Sequence, residues 1–348
     1  MPIVFDAPVP PDDTTQFVRA IPVPNTLTLL NQFPVVNVPT NTVRLSEITS
    51  TNRAARYRTY DGRIHVAERD GFSNFEIAMA PFSDSLNMGE YERLQLEFLR
   101  TGGTRQEALA NAIYNDNEIL TRNMQVRMNL ALGDALADGK FTPNLKDENI
   151  GETDFAVPAG QIVTAGTTWA TTATANPVAD LVAVADAVEA GGEGRPTRAW
   201  ATRNTIRQLR NNVSIINMVK GAQTGATRVS LADMETLFAD EGLPAPEDWT
   251  IVEDVADVDG VTTRAFPNDR VVLGPEPSDL MEFRLGLSAT ALELVQSNLA
   301  ELTFEDAAGL VGVVEKVGPP YRQFTFVDAV GMPVIRNARR MGIVIKGA

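Results

Sequence analysis

The chain has 348 residues, 44% of them hydrophobic and 22% charged, an ordinary globular composition with material for a sizeable core and, as a soft expectation, two or three domains. Its net charge of −15 opposes general nucleic-acid binding, because phosphate repels such a surface, although an acidic wall around DNA is compatible with it. The absence of cysteine excludes a disulfide framework, thiol chemistry and cysteine metal sites. With no signal-like start and no run of ~20 apolar residues to span a bilayer, the protein reads as soluble and cytoplasmic when made, with no membrane association.

Residues 1–40 hold eight of the 21 prolines, among them Pro8, Pro10, Pro11, Pro22, Pro24 and Pro34. Proline fixes φ and removes a backbone donor, so no long helix is expected here. Val35, Val36, Val38 and the run Leu27–Leu30 nonetheless want burial. An extended arm lying on another surface satisfies both facts, and 40 extended residues reach roughly 130 Å.

Residues 53–82 read as a long β-hairpin. Tyr57, Thr59, Ile64 and Val66 alternate with Arg56, Arg58, Arg63 and His65, turn signals stand at Asp61-Gly62 and Asp70-Gly71, and the return strand is Phe75–Phe82. Little of it is apolar on both faces, so it is expected to project from the body. Arg53, Arg56, Arg58, Arg63 and Arg69 concentrate positive charge here and are the candidate inter-subunit contacts. A short helix is expected from Met88 to Arg100, ended by Gly102-Gly103.

The strongest helix follows. Thr104 to Glu107 has the form of a capping box, Leu109, Ile113, Leu120, Met124, Met128, Ala131 and Ala135 fall near a 3.6-residue stripe, and Gly139 is a natural stop. Spanning about 54 Å, with Asn115, Asp116, Asn117, Arg122 and Asn123 on the polar side, it reads as a spine with one buried face. Residues 140–175 read as a connection with short strands. Helices are then expected from Pro177 to Ala190, from Thr202 to Leu209 and from Ser230 to Ala239. Strands are expected at Thr197–Ala201, Trp249–Val255, Val261–Phe266 and Arg270–Gly274, together a compact α/β unit. Strands return at Leu310–Val317, Tyr321–Val327, Met332–Ile335 and Met341–Ile345.

Chemistry is hard to place on this chain. The single histidine, His65, sits on the hairpin and has no cysteine or second histidine to form a metal site or a catalytic pair. Gly133–Lys140 has five residues between its glycines where a phosphate loop has four, and Phe141 stands where Ser or Thr would hold magnesium. Asp257-Val-Asp259-Gly260 lacks the ligand spacing of a calcium loop and reads as a hairpin turn. No catalytic, cofactor-binding or metal residue is assigned, and the protein is not expected to be an enzyme.

Three stretches carry a resemblance. Leu30-Asn-Gln-Phe-Pro34 precedes Val43-Arg-Leu-Ser-Glu-Ile48, Gly139-Lys-Phe-Thr142 follows the long helix, and Phe266-Pro-Asn-Asp-Arg-Val-Val-Leu-Gly274 comes late. In order and chain position they resemble the lambda-type major capsid protein family of tailed bacteriophages, with its α+β Hong Kong 97-type capsid fold. The resemblance spans most of the chain and is poorest over residues 150–260. It implies an N-terminal arm (1–45), an extended β-hairpin loop (46–90), a peripheral domain with the spine helix (91–175), an inserted axial α/β domain (176–318) and peripheral return strands (319–348).

The function implied is a virion structural protein, made and assembled in the host cytoplasm, whose hexamers and pentamers close an icosahedral shell around double-stranded DNA without binding it specifically. Implied partners are copies of itself, a scaffolding protein, a portal and a decoration protein. Some shells of this fold are joined by isopeptide bonds from a lysine on the extended loop, but none of the five lysines (Lys140, Lys146, Lys220, Lys316, Lys346) lies in residues 53–82. Two other readings stand beside this one: an encapsulin-like nanocompartment shell, which shares the fold, and a soluble acidic hydrolase working with paired carboxylates.

Overall fold

The computed structural model describes residues 9–48, 72–89, 91, 105–143, 151–222, 225–296, 307–318 and 322–347. The chain opens with two helices, α1 (Pro11–Ala20) and α2 (Thr28–Gln32), where an extended arm was expected. Proline starts helices as readily as it breaks them, because the first turn has no use for its missing N–H. Pro10 and Pro11 stand at the N-cap and first turn of α1. The segment also packs on its own chain: Val18, Leu29, Leu30 and Phe33 are buried in the main core, and Thr14 Oγ1 donates to the Gly312 carbonyl at 2.8 Å.

Strand β1 (Val35–Asn37) leads into a two-stranded stem in which β2 (Thr42–Ile48) runs antiparallel to β3 (Phe72–Ala78). The expected hairpin beyond Ile48, with all five candidate arginines and His65, lies outside the described residues, as does most of the helix expected at Met88–Arg100. The stem begins earlier than the sequence implied. Ala80–Met88 then forms β4, a strand of the main sheet and not part of a projecting hairpin.

The spine helix α3 (Arg105–Asp138) appears as expected at 34 residues and stops at Gly139, whose φ of +74° is the left-handed cap conformation. Its stripe of Ile113, Leu120, Met124, Met128 and Ala135 is buried. Asn117, expected on the solvent side, is buried too, in line with Thr121, Gln125 and Asn129 at four-residue spacing. This polar ridge receives the N-terminal segment. Gln125 Nε2 donates to the Ile21 carbonyl at 3.2 Å, and Asn129 Oδ1 accepts the Leu30 amide at 3.0 Å.

Two sheets carry the rest. Short strands β5 (Lys140–Phe141) and β6 (Thr153–Asp154) pair with each other, and β7 (Ile162–Thr164) follows. The helices are α4 (Pro177–Ala190), α5 (Arg203–Arg210), α6 (Val213–Lys220) and α7 (Leu231–Asp240), with β8 (Arg198–Ala201) before α5 and β9 (Trp249–Ile251) after α7. A hairpin of β10 (Val255–Val258) and β11 (Val261–Arg264) turns on Asp259 and Gly260, both at positive φ. Then come β12 (Arg270–Gly274), α8 (Pro277–Leu280), β13 (Met281–Leu285), α9 (Ala289–Gln296), β14 (Val311–Val317), β15 (Arg322–Ile335) and β16 (Gly342–Ile345).

The first sheet has the order β1-β13-β15-β14 with β4 also on β15, and the second runs β7-β16-β12-β8-β9. Two boundaries implied by the resemblance shift as a result. Residues 281–285 and 311–317, placed in the inserted α/β unit, pair with β15 of the first sheet. Residues 342–345, placed among the peripheral strands, pair with β12 and β7 of the second. Strand alternation explains why the second sheet joins the two halves. Trp200, Val272 and Ile343 point into the main core, while Ala199, Ala201, Val271, Leu273 and Val344 point into a second core built with α4 to α7.

Candidate assembly surfaces

Charged side chains gather at three places around this frame. The first is an open cleft of about 960 Å³ between the C-terminal half of α3, the start of β4 and the β10–β11 hairpin. Asp134 and Asp138, one turn apart on α3, line it and hold the chain that leaves the helix: Asp134 accepts the Thr142 amide at 2.9 Å and Asp138 the Lys140 amide at 3.0 Å. Burial holds both carboxyls above the usual aspartate range, reinforced at Asp134 by repulsion from Asp138 and Glu152 and at Asp138 by repulsion from Glu152. Arg270 crosses behind, donating to the Ala137 carbonyl at 2.9 Å. Because both carboxylates are occupied in capping a chain turn, the cleft has the composition of a structural joint and not of an acid–base pair.

The second place is a smaller polar hollow of about 440 Å³ lined by Ser83, Asp84, Ser85, Thr290, Glu315, Phe324, Phe326 and Asp328. Strand pairing builds it: Asp328 stands opposite Ser83 on β4 and Val311 on β14, and Phe324 opposite Glu315. Nothing in the sequence marks these residues as neighbours, since the strands are some 240 residues apart at the extreme.

The third is a clamp. Glu282 is buried, with Oε1 accepting from Arg284 Nε at 2.6 Å and Oε2 from Arg336 Nε at 2.8 Å. Burial alone would raise this carboxyl, but the hydrogen bonds and charges of the two arginines outweigh it and hold it below the usual glutamate range.

Among the described residues no group of three or more His, Cys, Asp or Glu is arranged to hold a metal ion, and no helix is long and apolar enough to cross a membrane. Asp257 Oδ1 accepts the Gly260 amide at 2.6 Å, the hairpin-turn role read from the sequence.

The profile of the family described as phage major capsid protein E matches residues 13–285. The chain belongs to this family. Its solved relatives in fold include the structure assigned as the capsid protein of a prophage of E. coli CFT073, at 15% identity and a TM-score of 0.58, covering 95% of this chain and 97% of that one. A phage-related protein from Bordetella bronchiseptica RB50 follows at 14% identity and a TM-score of 0.51, with 96% of each chain covered. The capsid of Myoviridae phage XM1 matches at 13% identity and a TM-score of 0.50, with 91% of each covered. No curated protein matches the sequence. The mixed helix-and-sheet architecture is that of Hong Kong 97-type capsid proteins, and this capsid protein is a structural component of a bacteriophage particle, not an enzyme.

Proposed function

We propose that the protein assembles into hexamers and pentamers that close as an icosahedral shell around double-stranded DNA, built in the host cytoplasm with a scaffolding protein and a portal and, on the outside, a decoration protein. The observation that carries this reading is the capsid-family match together with coverage of nearly the whole length of phage capsid chains. The stem supports it. Among the described strands β2 and β3 pair only with each other; Val43 and Ile77 anchor their base on the main core, but a two-stranded ribbon continued beyond that anchor is marginal in water and is stabilised by a further surface to lie on.

The loop carried by that stem holds Arg53, Arg56, Arg58, Arg63 and Arg69. In this reading they contact acidic surface on the adjacent subunit, and the hollow with Glu315 and Asp328 offers carboxylates beside two partly buried phenylalanine rings, a setting suited to guanidinium. Electron microscopy of the chain co-expressed with its scaffold tests the reading. Rings and closed particles with nuclease-protected DNA are expected, and dispersed monomers would overturn it. Particles that protect an enzyme cargo in place of DNA would turn it toward a nanocompartment. The triple substitution Arg56→Glu, Arg58→Glu, Arg63→Glu is expected to stop assembly and leave a folded monomer; normal shells would remove the loop arginines from the contact.

A further inference from the structure

The α/β unit built on the second sheet carries two charged surfaces that its own chain does not neutralise. On α5, Arg203, Arg207 and Arg210 lie along one face at helical spacing, opposite buried Thr205 and Leu209. Arg210 Nε donates to the Val229 carbonyl at 3.0 Å, which brings exposed Arg228 to the same edge. Among the described residues none of these four guanidinium groups has a carboxylate within 4.0 Å, although the chain as a whole carries an excess of acid. Glu253 is next to Arg203, but one of its oxygens takes the Arg203 backbone amide and the other is paired with Arg264.

The second surface is α7. Glu235, Asp240 and Glu241 are exposed, and none of them is in an ion pair among the described residues. Asp240 and Glu241 stand at the C-terminal end of the helix, where the backbone dipole is already negative, and the last turn contains no basic residue. Two acids there disfavour the isolated helix, and an approaching cation relieves that repulsion.

Apolar groups lie beside these charges. Val213 is 41% exposed, Met218 51% and Leu231 47%. Val213 starts α6 just after Arg210. Met218 and Leu231 flank the Lys220–Asp233 ion pair that ties α6 to α7 at 2.8 Å. Phosphate presents no apolar surface, so apolar groups interleaved with arginine favour a protein partner over DNA.

We propose that the partner is a second copy of this chain, with the α5 arginine face of one copy seated against the acidic end of α7 in the next. Such a contact is heterologous, each copy using one surface to give and another to receive, and repetition around an axis closes a ring. The inference rests on the shell-forming reading and assigns residues to one of its ring contacts. Steering between opposite charges also makes the contact salt-sensitive.

The test uses two charge-reversed full-length chains co-expressed with the scaffold. One carries Arg203→Glu, Arg207→Glu and Arg228→Glu, the other Glu235→Lys, Asp240→Lys and Glu241→Lys. Alone, each presents like charges across every contact, and the concentration needed for ring formation is expected to rise at least tenfold. Mixed in equal amounts they regain complementary contacts only when they alternate around the ring. Alternation closes six positions but not five, so micrographs are expected to show hexamers without closed five-fold vertices. Normal assembly by either reversed chain alone, or no rescue on mixing, overturns the contact. Normal shells from the arginine-reversed chain with reduced DNA retention overturn it in favour of a phosphate partner. If a reversed chain loses the wild-type melting transition, the milder pair Arg207→Gln and Arg228→Gln replaces it, and an unchanged assembly threshold then overturns the contact. Failure of the wild-type chain to form rings at all overturns the shell-forming reading itself, an outcome distinct from variants that assemble as well as wild type.

Discussion

Gly133 of the spine helix passes so close to Ala265, at the root of the β10–β11 hairpin, that a β-carbon on Gly133 would stand 1.8 Å from the Ala265 carbonyl oxygen. Helix backbone and hairpin backbone touch there with no side chain between them. Gly133→Ala gains about 1 kcal/mol of helix propensity and yet is expected to destabilise the chain by a net of about 2 kcal/mol, because the hairpin must be pushed off the helix. The midpoint of urea denaturation reads this directly. A midpoint equal to or above that of wild type would show that the two backbones do not meet.

The cleft beside that contact makes a pH-dependent prediction. Burial raises Asp134 and Asp138 above the ordinary value of 3.8. The folded chain therefore binds their protons more tightly than the unfolded chain does. The stability this contributes is present in full below pH 3.8 and is lost as pH rises through the folded values. Asp134→Asn keeps an oxygen for the Thr142 amide and removes the charge. It is expected to raise the melting temperature at pH 7 relative to wild type, with the gap closing as pH falls toward 4. A variant that melts lower at pH 7 would contradict this assignment.

Glu282 has the opposite sign. Its carboxyl is held below the ordinary 4.5, so the stabilisation from Arg284 and Arg336 is present above that value and lost as pH falls through the folded one. Arg336→Met leaves one oxygen of a buried carboxylate without its charged donor and is expected to cost about 2 kcal/mol at pH 7. Thermal unfolding of both proteins from pH 7 down to pH 3 checks it. The difference should shrink below the glutamate range, and a difference independent of pH would point to lost packing instead.

Three of the five lysines are engaged within their own subunit. Lys140 Nζ lies 2.6 Å from Glu152, Lys220 Nζ lies 2.8 Å from Asp233, and buried Lys346 donates to Gln208 Oε1 at 2.9 Å. Residues 53–82 contain no lysine, and arginine cannot replace it as a nucleophile because its guanidinium stays protonated. Mature particles boiled in denaturant are expected to run as a single band near 37.7 kDa. A ladder of covalent multimers would refute this.

Local signals proved reliable where the physics is local. Pro177 at the first turn and the following apolar spacing define α4 from Pro177 to Ala190, Ser230 with Asp233 forms the capping box of α7, and Gly139 ends the spine helix. Each is a hydrogen-bonding or steric matter settled within about four residues. The family resemblance was legible for a related reason, since motif order along the chain survives when individual motifs are weak.

The N-terminal prolines misled because proline is compatible both with an extended arm and with the first turn of a helix, and only burial of Val18, Leu29, Leu30 and Phe33 against the spine selects the helix. Asn117 read as part of a solvated face for the same reason, yet it is buried in line with Thr121, Gln125 and Asn129. Polar side chains look alike in sequence whether they meet water or, as here, the backbone of residues 21 and 30. Sequence alone determined the long helix, the turns, the absence of lysine from residues 53–82 and the excess of acid. Tertiary structure decided that β16 leaves the first sheet for the second, and that Glu315 and Asp328 meet Ser83 in one hollow. Periodicity records which face of an element is apolar, but the partner that covers that face is chosen by packing among residues hundreds of positions apart.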